Sequence, residues 1–233
     1  MYLLAFESSA KAAGAALLHD GQLLGEFYLN NGQTHSRTLL RLAEGLLENC
    51  DVQTEQLDAV AVASGPGSFT GLRIGIAAAK GLAWGREIPC IGVSTLESMA
   101  RCVTAENAVI VAAMDARREQ VYNAIFDVTD GKMTRICEDR AISVEELEKD
   151  LEKIEKTKIL VGDGAELCYN TLRYKKRLFL LPEHRRMQRA SGVALAAAEV
   201  LARGEYPTAA DLAPNYLRLS QAERERAKKL KTE

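Results

Sequence analysis

The sequence predicts an α/β protein built from a duplicated βββαβαβα unit, and three observations carry that expectation. Two Asp-Gly pairs, Asp20-Gly21 and Asp130-Gly131, sit between apolar runs at corresponding places in the two halves, and Asp-Gly is a strong hairpin signal. Two glycine turns, Gly65-Pro66-Gly67 and Gly162-Asp163-Gly164, each follow a run that reads as a buried strand. The order of elements around these markers is the same twice, the mark of an internal repeat.

In the first half, residues 2–9 form a short apolar run with a polar end, and residues 13–18 and 23–29 flank the turn His19-Asp20-Gly21-Gln22, giving three consecutive strands. Leu39, Leu42, Ala43, Leu46 and Leu47 recur at helical spacing after Thr34 and Ser36, both of N-capping type. A buried strand over 57–63, a helix over 70–84, a strand over 90–93 and a helix from Ser94 complete the unit. In the second half, a buried strand over 108–115 precedes strands over 120–126 and 132–136, which flank Thr129-Asp130-Gly131. A helix over 143–154 with Glu at its start, a strand over 158–161, an apolar run over 178–181 and an Ala-rich helix over 190–203 follow. Residues 165–177 define no element. The halves join near 101–107, so units 1–103 and 104–219 are expected, with a polar tail, 220–233, read as a frayed helix or disorder.

A hydrophobic share of 47% with 27% charged residues is that of an ordinary globular chain, which excludes a disordered or fibrous protein. The net charge of −2 excludes a broad phosphate-gripping surface, so any nucleic acid must be met by a local patch or by another protein. Five cysteines, Cys50, Cys90, Cys102, Cys137 and Cys168, are odd in number and form no C-x-x-C pair, which argues against a disulfide framework or a zinc site. The opening residues lack a basic segment followed by a long apolar one, and no apolar run approaches the ~20 residues that span a bilayer. The expected location is the cytoplasm, without membrane contact.

The most specific segment is Ser64-Gly65-Pro66-Gly67-Ser68-Phe69-Thr70-Gly71-Leu72-Arg73-Ile74-Gly75, between a buried strand and a helix. Its glycines permit positive φ and close backbone approach, and free amides at a helix start can hold an anion. It is not a P-loop, since no Gly-Lys-Ser/Thr follows, and Thr70 stands where G-x-G-x-x-G needs its third glycine. Alone, it reads better as a tight strand-to-helix turn. Ser68 lies outside a G-x-S-x-G elbow and has no neighbouring His, so it is a poor nucleophile.

A duplicated βββαβαβα unit is the architecture of the actin, sugar kinase and Hsp70 ATPase superfamily, and by that analogy phosphates would sit between the halves, near Glu7-Ser8-Ser9 and Asp115-Ala116-Arg117. Across nearly the whole chain the sequence resembles the TsaB (YeaZ) family. The resemblance is carried by Leu4-Ala5-Phe6-Glu7-Ser8-Ser9, Thr34-His35-Ser36 and above all the segment from Ser64 to Gly75. Lys80-Gly81-Leu82-Ala83, Ile91-Gly92-Val93-Ser94-Thr95-Leu96, Met114-Asp115-Ala116-Arg117 with Val121-Tyr122, and Pro214-Asn215-Tyr216-Leu217-Arg218 add to it.

The resemblance implies a bacterial, non-catalytic paralogue of TsaD. TsaD transfers a threonylcarbamoyl group, from an adenylate made by TsaC, to the tRNA adenosine beside the anticodon, assisted by the ATPase TsaE. Partners are then a TsaD-like protein in a heterodimer, a TsaE-like ATPase and, through the complex, tRNA; the free chain pairing with itself stays open. The catalytic paralogue carries an H-x-x-x-H pair that holds a metal; here the position four after His35 is Leu39, so no metal is expected. Glu7 stands where relatives commonly show Asp, which puts ATP hydrolysis by this chain in doubt. No catalytic residue and no cofactor of its own are implied, with ATP and magnesium left to the assembled complex. Gly71, Gly75, Ala78 and Leu82, beside Leu39, Leu42, Ala43 and Leu46, are the expected docking face, against the plain reading that both stripes pack on their own sheet. The alternative is a kinase or ATPase of this superfamily, or a glycoprotease-like peptidase, acting alone.

Overall fold

The structure, a computed structural model, describes residues 1–218; the polar tail expected over 220–233 lies outside them. Both Asp-Gly signals become the turn they predict. Asp20 and Gly21 have φ of 49° and 79°, and Asp130 and Gly131 have 51° and 74°. Positive φ at both central residues matches the right-handed twist of the flanking strands. The first turn joins β2 (Ala13–His19) to β3 (Gln22–Leu29), the second joins β7 (Gln120–Thr129) to β8 (Lys132–Arg135).

With β1 (Tyr2–Glu7), β4 (Leu57–Gly65) and β5 (Cys90–Ser94), the first sheet has the order β3-β2-β1-β4-β5. The second runs β11-β10-β6-β7-β8, with β6 (Asn107–Asp115), β10 (Thr157–Val161) and β11 (Leu178–Leu180). In each, the hairpin strands pair antiparallel, and the later strands add in parallel beside the first. The five strands of the first sheet therefore have counterparts in the second, as the expected duplication requires, and the fold is the actin-like α/β arrangement.

Helices cover the sheets in a way the linear order conceals. α1 (His35–Asn49) and α2 (Phe69–Arg86) bury Leu39, Leu46, Ile76 and Ala79 on the outer face of the first sheet. The sheet's other face is covered by the last helix of the second half, α7 (Ala190–Ala202), through Ala190, Val193, Ala194 and Ala197. Reciprocally, α3 (Thr95–Arg101), the last helix of the first half, packs Leu96, Met99 and Ala100 on the second sheet. α4 (Val144–Glu152) and α5 (Ala165–Thr171) cover that sheet's far face. The exchanged helices meet each other: a Cβ on Gly192 would lie 2.0 Å from the Ser98 carbonyl oxygen, and Arg101 pairs with Glu199. Close approach of this kind needs small side chains, which accounts for the alanine content of α7.

Several local expectations are corrected. A strand over Arg140–Ser143, β9, pairs with β7 and was not foreseen. The undefined stretch 165–177 contains α5, and a short helix, α6 (Glu183–Arg186), follows β11. Neither Thr34 nor Ser36 caps α1 with its side chain; the Thr34 carbonyl accepts from Arg37 N–H instead, at 3.0 Å. Residues 205–218, for which the sequence predicts no element, run as an extended strap. The Pro207 carbonyl accepts from Cys90 N–H, Ala209 and Leu212 join the first core, and Asn215 N–H donates to the Ser64 carbonyl at 2.7 Å. All five cysteines are free, as their spacing led one to expect. Among the described residues no helix is long and apolar enough to cross a membrane.

Candidate functional site

Strands β1, β6 and β10 end at the same cleft between the halves, the position where open α/β sheets hold ligands. Its volume is about 810 Å³, and Ser9, Lys11, Gly67, Asp115, Asp163 and Tyr216 are among the residues that line it.

The glycine-rich segment reaches this cleft, and what its glycines do there is decided by distances. A Cβ on Gly67 would lie 2.5 Å from the Ser9 carbonyl oxygen, one on Gly71 2.1 Å from the Ser8 carbonyl oxygen, and one on Gly75 2.3 Å from Ser8 Oγ. Gly65, at φ 131°, would place its Cβ 2.4 Å from the Asn215 carbonyl oxygen. These glycines let β4 and α2 press onto the β1–β2 turn on one side and the C-terminal strap on the other. The amides are engaged as well: Ser68 N–H donates to the Ser9 carbonyl at 2.6 Å, and Gly71 N–H to Ser68 Oγ at 3.3 Å. Ser8 Oγ in turn donates to the Gly71 carbonyl at 2.9 Å. The segment is a packing device built around Ser8 and Ser9, both fully buried.

Phe69 and Arg73 link it to the strap. Tyr216 stacks on Phe69 with ring centroids 4.2 Å apart, the Arg73 guanidinium lies 4.1 Å from the Phe69 centroid, and Arg73 Nε–H donates to Tyr216 Oη at 3.1 Å. Such stacking and cation–π contacts each add to what burial alone gives. Further along, Arg218 donates to the Ala116 carbonyl at 2.5 Å, which fastens the strap to the second half. Thr70, on the exposed side of α2, takes no part.

The predicted cleft residues divide. Glu7 is 1% exposed; Oε1 accepts from Ser9 N–H at 2.6 Å, whereas Oε2 is buried without a hydrogen-bond partner among the described residues. Burial, with Asp163 nearby, pushes its carboxyl up to about 7. Asp163 is itself raised, by burial first, though Gln188 Nε2–H donates to its Oδ1 at 2.8 Å. Asp115, the counterpart of Glu7 in the repeat, accepts from Arg117 N–H at 2.7 Å, and its carboxylate lies 3.8 Å from the exposed Arg117 guanidinium. His35 opens α1: its Nε2–H donates to the Ala10 carbonyl at 2.8 Å, and its ring lies against Gly71. Leu39, one turn on, is 1% exposed within the core. Among the described residues no three His, Cys, Asp or Glu side chains are grouped to hold a metal ion.

Five of the eight expected docking residues face inward. Leu39, Ala43 and Leu46 are core residues, and Gly71 and Gly75 face Ser8, so this part of the expectation is corrected. Leu42, Ala78 and Leu82 are half-buried. Beyond Thr70 and Arg73, the surface that α2 presents is Ala77, Gly81, Trp84 and Gly85, with Trp84 69% exposed. Sequence reading missed Asp163 as a cleft group, although its glycine turn was evident, and missed the strap, although Asn215-Tyr216-Leu217-Arg218 stood out as a motif.

Glu7 yields a stability prediction. Its folded carboxyl binds a proton more tightly than the unfolded one, so the fold is favoured most below pH 4.5 and loses that advantage as pH rises to and through about 7. Glu7→Gln should flatten the dependence and make the protein more stable than the parent by a few kcal/mol at pH 8, with little difference at pH 4.5, read by urea unfolding at both values. Equal pH dependence in the two proteins would contradict the buried, unpartnered Oε2.

Comparison with known proteins agrees with this picture. Residues 27–226 match the family model described as TsaD, tRNA N6-adenosine threonylcarbamoyltransferase. The tRNA threonylcarbamoyladenosine biosynthesis protein TsaB of Bacillus subtilis (strain 168) is 30% identical over 230 residues, 96% of each chain. That of Escherichia coli (strain K12) is 39% identical over 128 residues, 54% of this chain and 55% of that one. The structure of YeaZ from Pseudomonas aeruginosa superposes with a TM-score of 0.78 at 28% identity, covering 93% of this chain and 99% of the other. The ethanolamine utilization protein EutJ of Carboxydothermus hydrogenoformans shares the fold alone, with a TM-score of 0.52 at 12% identity. The repeat, the Ser8-centred glycine packing and full-length similarity converge on one assignment: the chain belongs to the TsaB (YeaZ) family of tRNA threonylcarbamoyladenosine biosynthesis proteins.

Proposed function

We propose that this chain takes part in threonylcarbamoylation of the tRNA adenosine next to the anticodon as a non-catalytic subunit that supports a TsaD-like transferase. The observation that carries the proposal is Leu39, buried in the core one helical turn after His35, whose own Nε2–H is taken by the Ala10 carbonyl. An imidazole pair facing the cleft would need the opposite arrangement.

Two features argue against a magnesium-bound phosphate in this chain's own cleft. Glu7 is buried with its carboxyl pushed up to about 7, and the Ser68 and Gly71 amides of the glycine segment are already bonded within the chain. Hard cations need charged oxygen ligands, and phosphates need free amides. Nucleotide and magnesium are thus assigned to the assembled complex, with a TsaE-like ATPase assisting and tRNA recruited through it, in the cytoplasm. The docking face is the α2 surface of Ala77, Gly81 and Trp84, whose small residues admit a partner helix closely, and the same face serves self-pairing when the paralogue is absent. Units 1–103 and 104–219 then divide the labour, the first docking and the second sharing the cleft.

Deleting the gene and digesting total tRNA to nucleosides for mass spectrometry tests this. Threonylcarbamoyladenosine should fall by at least about tenfold, the scale of a lost essential interaction, and return with the intact gene. Unchanged modification would overturn the proposal.

A further inference from the structure

We propose that the β11 edge of the second sheet contacts RNA directly, using exposed cations around an exposed aromatic ring. The chain carries a net charge of −2, yet residues 173–189 hold seven Arg or Lys against one Glu. Among the described residues β11 is an edge strand, paired only with β10, and Phe179 at its centre is 57% exposed. Natural edge strands seldom display a large apolar side chain without a reason, and charges beside it keep the edge from aggregating.

Arg173, Lys175, Lys176 and Arg177 lie exposed at the start of the strand, and Arg185 lies exposed just beyond its end. The loop that carries the first four is held by two of its backbone amides and by the Arg177 side chain. Glu148 Oε1 accepts from Arg173 N–H and Tyr174 N–H at 2.6 and 2.8 Å, and Arg177 reaches the Glu155 carbonyl at 2.9 Å. The loop is thereby fixed while the heads of Arg173 and Lys175 form no ion pair among the described residues; Lys175 Nζ lies 4.7 Å from the Tyr169 centroid. Lys176 meets Glu155 at 3.3 Å with both side chains more than half exposed, a pair weak enough for a phosphate to replace. Arg186 and Arg189, by contrast, pair with Glu166 and Glu26 and belong to the fold.

Cations that track a phosphate backbone, set around an aromatic face on which a base stacks, are the elements of a single-stranded RNA platform. An anionic membrane would be drawn to the same charges, but the proposed participation in tRNA modification, on which this inference rests, favours RNA. The contact would be local, as the overall charge requires.

The test uses the full-length protein and a fluorescently labelled transcribed tRNA, with binding measured by anisotropy between 50 and 200 mM KCl. Replacing Arg173, Lys175, Lys176 and Arg185 together by Gln should weaken binding by more than tenfold at the low-salt end and make the slope of log K against log salt shallower by about 3. Phe179→Ser should weaken binding about tenfold with the slope unchanged, since stacking releases no counterions. All five side chains are solvent-exposed, so unfolding midpoints should match the parent. Parental affinity and slope in both variants would overturn the inference, as would vesicles of phosphatidylcholine and phosphatidylglycerol at 3:1 binding through these residues without displacement by tRNA. Modification lost from the deletion strain but patch-independent tRNA binding defeats this inference alone; patch-dependent binding with unchanged modification in that strain defeats the proposed function and leaves the RNA surface standing.

Discussion

Gly71→Ala is expected to lower the thermal unfolding midpoint by roughly 6–12 °C, from a destabilisation of about 3 kcal/mol, whereas Gly81→Ala ten residues along the same helix should leave it unchanged or raise it slightly. The added methyl at Gly71 would lie 2.1 Å from the Ser8 carbonyl oxygen and 3.3 Å from the His35 ring. Neither can withdraw: Ser8 sits in a buried turn, and His35 is tied to Ala10. Relief requires α2 to lift from β1, which loosens Ile76 and Ala79 in the core. At Gly81 a Cβ meets nothing within 4 Å among the described residues, so only the helix preference of Ala over Gly acts, worth about 0.5–1 kcal/mol. Differential scanning calorimetry of the two variants separates the cases. Equal midpoints would mean that the glycine segment is not the packing device described.

Ala77→Arg should abolish detectable binding to the TsaD-like paralogue, weakening it by about two orders of magnitude or more, while leaving the fold intact. Ala77 is exposed on α2, in line with Gly81 and Trp84, so a long charged side chain there costs the isolated protein little. At a close helix–helix contact the same side chain must be either desolvated or expelled, and both disfavour the complex. Isothermal titration calorimetry with the purified paralogue reads the loss, and far-ultraviolet circular dichroism confirms the fold. Undiminished binding would move the docking face elsewhere.

Much of this protein is legible in its sequence because its turns are. Asp20-Gly21, Asp130-Gly131 and the glycine pairs at 65–67 and 162–164 demand particular backbone conformations, and the duplicated sheets follow from where they fall. The exchange of α3 and α7 between the halves is not legible, since Leu96, Met99 and Val193 would bury as well on either sheet. β9 escapes because Arg140-Ala141-Ile142-Ser143 is short and offers one large apolar residue. In the site, the sequence marks Glu7, Ser8 and Ser9 and the glycine segment as important and leaves open why. Gly71 and Gly75 read equally well as a partner's groove or an internal contact, because interface and core use the same apolar chemistry; only the distance to Ser8 decides. The strap over 205–218 has no periodicity to read, and its role rests on Tyr216 meeting Phe69 far away in sequence.

The central claim is that the chemistry belongs to another polypeptide. Threonylcarbamoyl transfer measured with purified components, supplying tRNA and threonylcarbamoyl-adenylate to this chain alone, to the paralogue alone and to both with the TsaE-like ATPase, tests it most directly. Sustained transfer is predicted only when this chain and the paralogue are combined, and none from this chain by itself. Turnover by the isolated chain would contradict the account.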